Sequence, residues 1–167
     1  MPMLNDLHLA MGEFLTESSQ VENMMLALVM VCRDGRPMDD VFVEFMGKTF
    51  GKKIDMFTAG CRTRNFTDAH RKILDEVEVE LAGLLLKRNL IVHGTTYQLG
   101  KDGTPPQPYR IGMTKAGAFL NEAVADLDAP NVFTVDRIKE TTAKFVDVRA
   151  NLGIVAKEVM TELARKR

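Results

Sequence analysis

Three side chains near the middle of the chain have the residue types and the spacing that phosphodiester chemistry uses. Arg88 and Asn89 are followed, after three further residues, by His93. An imidazole exchanges protons close to neutral pH, and an arginine can stabilise the charge of a phosphate. Asn89 lies four residues before His93, so both share one helix face, and Asn89 is a candidate for orienting the imidazole. These three residues are therefore the candidate catalytic group.

Arg88 continues the apolar stripe formed by Leu81, Leu84 and Leu85, so it is expected to face the core. A buried guanidinium requires a partner, because an unpaired charge in an apolar site costs several kcal/mol. Glu22 borders the apolar stripe of an earlier helix and is the first candidate for that partner. Two roles for Glu22 follow: support of the catalytic group, or a purely structural ion pair with Arg88.

Arg88 and His93 do not stack on one face of a regular helix. They are five residues apart, which separates them by about 140° around an ideal helix. Either the helix unwinds near Gly94, or a two-fold symmetric dimer brings the arginine and the histidine of two chains around one cleft.

The elements that position this group are predicted from hydrophobic periodicity and from turn residues. Three long helices are expected over residues 4–32, 68–92 and 135–163, with Thr67 as the N-cap of the second and Gly94 at its end. Shorter helices are predicted from Asp39 and Asp40 through residue 46, and over residues 51–60 and 114–127, with a basic loop at 61–65. Two β-prone runs, residues 95–99 and 109–112, flank a turn cluster rich in glycine and proline.

These elements predict a mainly all-α fold, an antiparallel helical bundle with three long helices, shorter helices and one small β-hairpin. The chain of 167 residues is within the usual size of one domain, and no interdomain linker is evident. We therefore expect a single domain over residues 1–167, with the hairpin as an insertion at about 95–112.

Charge and composition limit the possible partners. The 22 basic residues nearly balance the 23 acidic ones, so any contact with RNA must be local. Arg62, Arg64 and Tyr97 are the candidate substrate-binding residues, although the two arginines are more typical of scattered surface charge. The longest apolar run, residues 24–32, is too short to cross a membrane. Two cysteines without CxxC spacing, and no signal sequence, favour the cytoplasm.

The pattern as a whole resembles the HEPN superfamily. A long apolar helix leads into Arg88 and Asn89, the chain leaves it at His93 and Gly94, and Glu22 lies on an earlier long helix. The hallmark of the family is an arginine, a polar residue, three variable residues and a histidine. The resemblance implies a helical domain that forms homodimers, with Arg88, Asn89 and His93 in the site and no metal or cofactor.

Many members of that family are metal-independent endoribonucleases, and others bind nucleotides or partners without cutting. The resemblance thus implies that His93 helps the ribose 2′-hydroxyl to attack the adjacent phosphate, leaving a 2′,3′-cyclic phosphate, while Arg88 stabilises the developing charge. The leading hypothesis is an endoribonuclease or RNA-processing protein, as a toxin with an antitoxin partner or an antiphage component. The alternative is a non-catalytic dimeric scaffold or nucleotide-binding module, and a third is a helical partner-binding protein unrelated to HEPN.

Overall fold

The computed structural model describes residues 3–32, 35–99, 106–112 and 129–165. These residues form three long helices, two shorter helices and three strands, which confirms the prediction of a mainly helical fold with a small hairpin. The elements are α1 (Leu4–Val31), α2 (Met38–Met46), α3 (Phe50–Arg62), α4 (Asp68–His93), β1 (Thr95–Leu99), β2 (Gln107–Ile111), β3 (Val132–Phe133) and α5 (Val135–Arg165). The helix predicted at residues 114–127 lies outside the described residues.

The chain divides into two compact units. Unit 1 comprises Met1–Thr16 and Leu86–Ala143, and unit 2 comprises Glu17–Leu85 and Lys144–Arg167. All three boundaries along the chain fall within helices, because α1, α4 and α5 each contribute residues to both units. The organisation as one domain stays a prediction.

The observed helix ends agree with those predicted from the sequence, with two exceptions. Thr67 caps α4 as predicted, since its hydroxyl accepts a hydrogen bond of 3.3 Å from the backbone N–H of His70. Pro37, not an aspartate, is the N-cap of α2. Asp39 and Asp40 lie in the first turn of this helix, where their negative charges interact favourably with the helix dipole. Helix α3 continues to Arg62, so the predicted basic loop is wrong for its first two residues.

Contacts within unit 2 establish the relative directions of α1, α3 and α4. Lys53 on α3 meets Glu22 on α1, and seven residues further along both helices Gly60 lies beside Val29. Helices α1 and α3 therefore run in the same direction. Helix α4 runs antiparallel to α3, because Gly51 lies against Leu85 at one end and Arg62 bonds Glu78 at the other. The fully buried side chains of this unit include Met25, Leu28, Phe45, Phe57, Leu81, Leu84, Phe145 and Leu152.

Unit 1 contains an antiparallel sheet of order β1-β2-β3. Thr95 is opposite Ile111 and Tyr97 is opposite Tyr109, while Ile111 also pairs with Val132 on β3. The hairpin was predicted from its turn residues, but β3 was not, because two residues give no alternation to detect. Tyr109, Ile111 and Val132 form the buried cluster of the sheet.

Two glycines allow β2 to lie directly against the end of α4. A Cβ at Gly94 would come within 2.6 Å of the Ile111 carbonyl oxygen, and one at Gly112 within 2.5 Å of Leu90 Cβ. The prediction that α4 stops at Gly94 is confirmed, but the glycine is required by this close approach and not by a left-handed backbone, which among the described glycines only Gly35 adopts.

Within the described part of the chain, no helix has the length and apolar character needed to cross a membrane.

The close contact between α4 and β2 yields a test with an internal control. Gly94→Ala should lower the free energy of unfolding by about 1–3 kcal/mol, because the added methyl group meets backbone atoms that cannot move aside independently. Gly83, in the exposed middle of the same helix, has nothing within 4 Å of its Cβ position. Gly83→Ala should therefore raise stability by about 0.5–1 kcal/mol. Urea melts of both variants measure the difference, and equal effects would contradict the proposed close approach.

Candidate functional site

The C-terminal end of α4 is capped by a side chain from the sheet. The last four carbonyls of any helix lack partners within the helix. Here Arg110 on β2 donates from Nε to the Ile91 oxygen at 2.8 Å and from Nη2 to the Val92 oxygen at 3.0 Å. Its third nitrogen, Nη1, donates to Thr96 Oγ1 at 3.3 Å. The cation therefore satisfies two free carbonyls and also interacts favourably with the negative end of the helix dipole.

The sheet register fixes Arg110 at this place. It is opposite Thr96 on β1 and Phe133 on β3, so strands flank it on both sides. Arg110 is half-buried, and burial lowers the pKa of its guanidinium, which nevertheless stays charged at neutral pH because arginine starts so high. Sequence reasoning missed this residue. The available signal was an arginine between the apolar Tyr109 and Ile111 in a short strand.

The hallmark residues occupy the last two turns of α4. Asn89 and His93 are both exposed, which agrees with the prediction that they share a face away from the apolar stripe. Arg88 is half-buried, so it lies at the edge of the core and not fully within it. Its Nη1 donates to Asn89 Oδ1 at 3.4 Å, a long hydrogen bond. The amide oxygen of Asn89 is thus directed towards Arg88, whereas the sequence suggested that it orients His93.

His93 is the final residue of α4 and lies directly after the two carbonyls that Arg110 binds. Gly94 then packs against β2, so the backbone is anchored on both sides of the histidine. The imidazole itself is exposed to solvent. This combination of a fixed backbone and an accessible ring is suited to proton exchange with a ligand at the surface.

Glu22 belongs to unit 2, and its place at the border of the core is as predicted. Its Oε2 is 2.5 Å from Lys53 Nζ, and the two side chains are only 16% and 10% exposed. The Lys53 ammonium also lies 5.4 Å from the centroid of the Phe45 ring. Sequence reasoning missed Lys53 as a partner of Glu22. The predicted pair of Glu22 with Arg88 joins residues of different units and stays a prediction.

The candidate substrate-binding residues fall in both units. Arg62 pairs with Glu78 at 3.0 Å, and Arg64 pairs with Glu162 at 2.8 Å, both within unit 2. These carboxylates reduce the positive charge that either arginine offers to a phosphate. Tyr97 lies in unit 1 on β1, half-buried. A role for the three residues in RNA binding stays a prediction.

Among residues 3–32, 35–99, 106–112 and 129–165, no three His, Cys, Asp or Glu side chains are grouped so that they could ligate a metal ion. Each of the three histidines contributes to a different part of the fold. His8 is exposed on α1, His70 bonds the Thr67 hydroxyl through Nδ1 at 2.9 Å, and His93 ends α4.

Comparison of the chain with protein-family models, with curated proteins and with solved structures gave no match. Membership of the HEPN superfamily and the catalytic roles of Arg88, Asn89 and His93 therefore stay predictions.

The Arg110 cap can be tested by substitution. Arg110→Gln should destabilise the protein by about 1.5–3 kcal/mol, because two helix carbonyls lose hydrogen bonds from a charged donor. Arg110→Lys keeps the charge but not the planar fork, so its loss should be smaller but measurable. Arg62→Gln removes an arginine whose side chain is 70% exposed, and the cost of breaking such a surface pair is under about 1 kcal/mol. Thermal melts with hydrogen exchange at residues 90–94 provide the measurement, and an Arg110→Gln protein with native protection there would refute the cap.

The Glu22–Lys53 pair gives a second prediction about this region. Lys53→Met should cost about 3–5 kcal/mol because it leaves a mostly buried carboxylate without its cation, and Glu22→Gln in the same protein should recover part of the loss. A double-mutant cycle for Glu22 and Lys53 from urea melts should give a coupling energy above about 1 kcal/mol.

The same cycle with Glu22 and Arg88 tests the predicted second pair. Coupling between Glu22 and Arg88 supports it. A coupling energy near zero for Glu22 and Arg88, beside clear coupling for Glu22 and Lys53, refutes the predicted ion pair. Glu22 then has a structural role alone.

Proposed function

We propose that this protein is a HEPN-type endoribonuclease that works without a metal ion and acts as a homodimer on RNA. The observation that carries the proposal is the exposed turn of Asn89 and His93 at the end of α4, whose backbone is anchored by Arg110 and Gly94. A catalytic imidazole must be accessible to the substrate and yet held in position, and this helix end meets both requirements.

In the proposed reaction His93 accepts the proton of a ribose 2′-hydroxyl. The 2′ oxygen then attacks the adjacent phosphorus, and the bond from phosphorus to the 5′ oxygen breaks. The leaving 5′ oxygen takes up a proton from solvent, to which His93 returns its own. The products are a 2′,3′-cyclic phosphate and a 5′-hydroxyl. Arg88 stabilises the negative charge that develops on the phosphoryl oxygens, and Asn89, bonded to Arg88 at 3.4 Å, supports its orientation.

The angular separation of Arg88 and His93 supports a shared site. Five residues of regular helix separate them by about 140°, and α4 continues without interruption through both. Of the two arrangements open from the sequence, unwinding of the helix before His93 is thus disfavoured. A dimer in which one protomer supplies Arg88 and its partner supplies His93 is the arrangement that we propose.

The proposal predicts RNA cleavage by the purified protein in the presence of EDTA, with cyclic phosphate termini. His93→Ala should reduce the rate about 10²–10⁴-fold, the contribution typical of a general base. His8→Ala is the matched control, because His8 is also an exposed helical histidine of unit 1 and should leave the rate unchanged. Equal rates for His93→Ala and wild type would refute the catalytic role.

A mixing experiment distinguishes a shared site from a site within one chain. If Arg88→Ala and His93→Ala proteins are unfolded and refolded together, half of the dimers are mixed, and each mixed dimer regains one complete site of two. Activity should then recover to about one quarter of the wild-type value. A site formed within a single chain would show no recovery.

The alternative function is a non-catalytic dimeric scaffold or nucleotide-binding module. The half-buried position of Arg88 and its bond to Asn89 favour this role, because such an arginine can be structural. In that case Arg88→Ala lowers the melting temperature substantially, and neither the wild-type protein nor any variant cleaves RNA in the assay.

A further inference from the structure

Two cysteines that are distant in the sequence meet in unit 2. Cys32 follows the last residue of α1, and Cys61 lies in the last turn of α3. The two cysteines are neighbours, since the Cβ position of Gly60, the residue before Cys61, is 3.9 Å from Cys32 Cβ, and neither forms a disulfide. Each cysteine is only 6% exposed. The parallel course of α1 and α3 accounts for this meeting, since it brings the C-terminal ends of both helices together.

The two thiols differ in their access to solvent. Cys32 lines a cavity of about 460 Å³ whose wall also includes Arg36, Lys52 and Thr63. Arg36 and Lys52 are exposed, so this cavity opens at the surface. Cys61 lines a much smaller cavity of about 20 Å³. A small reactant can therefore approach Cys32 more readily than Cys61.

The electrostatic surroundings also differ. The hydrogen bond from Cys61 lowers the pKa of the Cys32 thiol against the opposing effect of burial, and the positive charge of Arg64 lowers it further. The hydrogen bond to Cys32, burial and the nearby Glu78 carboxylate all raise the pKa of Cys61. Cys32 is thus the thiol that ionises first, with Cys61 as its donor.

We propose that Cys32 and Cys61 form a hydroperoxide-reactive pair, in which Cys32 is the attacking thiol and Cys61 the resolving thiol, and that the product is an intramolecular disulfide. This inference is independent of the proposed ribonuclease activity, because it concerns side chains of unit 2 only.

The chemistry uses hydrogen peroxide as the oxidant. The Cys32 thiolate attacks one peroxide oxygen, the O–O bond breaks, and the hydroxide that leaves takes up a proton to become water. Cys32 is then a sulfenic acid. Cys61 attacks its sulfur, the S–O bond breaks, and a second water leaves. Two thiols and one peroxide give one disulfide and two waters, so peroxide is reduced and the two sulfurs are oxidised.

The full chain treated with hydrogen peroxide should lose two hydrogens by intact mass, and peptide mapping without reductant should give one peptide pair joined through Cys32 and Cys61. Thiol titration should fall from two to zero per chain. The rate should exceed that of the same chain unfolded in urea by at least about tenfold, because unfolding removes the hydrogen bond and Arg64 from Cys32. This comparison needs no variant, so it does not depend on whether a variant folds.

Single-cysteine variants assign the roles. Cys61→Ser should stop at a sulfenic acid on Cys32, which a 1,3-dione reagent traps, whereas Cys32→Ser should react at least about tenfold more slowly. Arg64→Gln should slow the wild-type reaction and move its pH inflection upwards, towards that of an ordinary thiol. Lys72→Gln, which removes a lysine whose side chain is 79% exposed on α4, is the control and should change neither.

Three results would overturn the proposal. The first is that the thiols of the folded chain react with peroxide no faster than those of the chain unfolded in urea. The others are a disulfide formed only between chains, and a Cys32→Ser protein that reacts as fast as Cys61→Ser. Ribonuclease activity enters none of these measurements, so the failure of either proposal leaves the other intact.

Discussion

The polar end of α4 is the constraint on which unit 1 depends. A helix of 26 residues finishes with carbonyl oxygens that need donors, and this one finishes against a sheet. Arg110 supplies the donors from β2, and Gly94 and Gly112 let the strand come close enough for its guanidinium to reach. The donor and the space are therefore both needed for the contact between the helix end and the sheet.

This constraint also determines what His93 can do. The histidine follows directly after the capped carbonyls, so the interaction that stabilises the helix end also fixes the origin of its side chain. The ring itself makes no contribution to the buried contacts of the sheet cluster, which consists of apolar side chains. Stability and chemistry are therefore assigned to different residues at one place: Arg110 for the first, and His93 in our proposal for the second.

Unit 2 depends on a comparable interaction of its own. The salt bridge between Glu22 and Lys53 is mostly buried, so its two charges are stable there only together. It lies in the same register of α1 and α3 as the contact of Gly60 with Val29, seven residues further along both helices. The same register places Cys32 beside the end of α3 that carries Cys61. The ion pair and the two cysteines thus belong to one register of α1 and α3.

The sequence by itself determined the elements. Apolar residues at helical spacing predicted the long helices to within two residues at each end, Thr67 predicted the start of α4, and turn residues predicted the hairpin. The spacing of Asn89 and His93 likewise determined that they share a face, and that Arg88 lies on another. These features are local, because the geometry of a helix converts sequence spacing directly into angle.

Only the tertiary structure decided which side chains meet across elements. The pairs of Lys53 with Glu22, Arg110 with the end of α4, and Cys32 with Cys61 join residues 31, 18 to 19 and 29 positions apart. No local period relates such positions. Their meeting depends on the direction and register of packed helices and strands, which the summed packing of many residues determines.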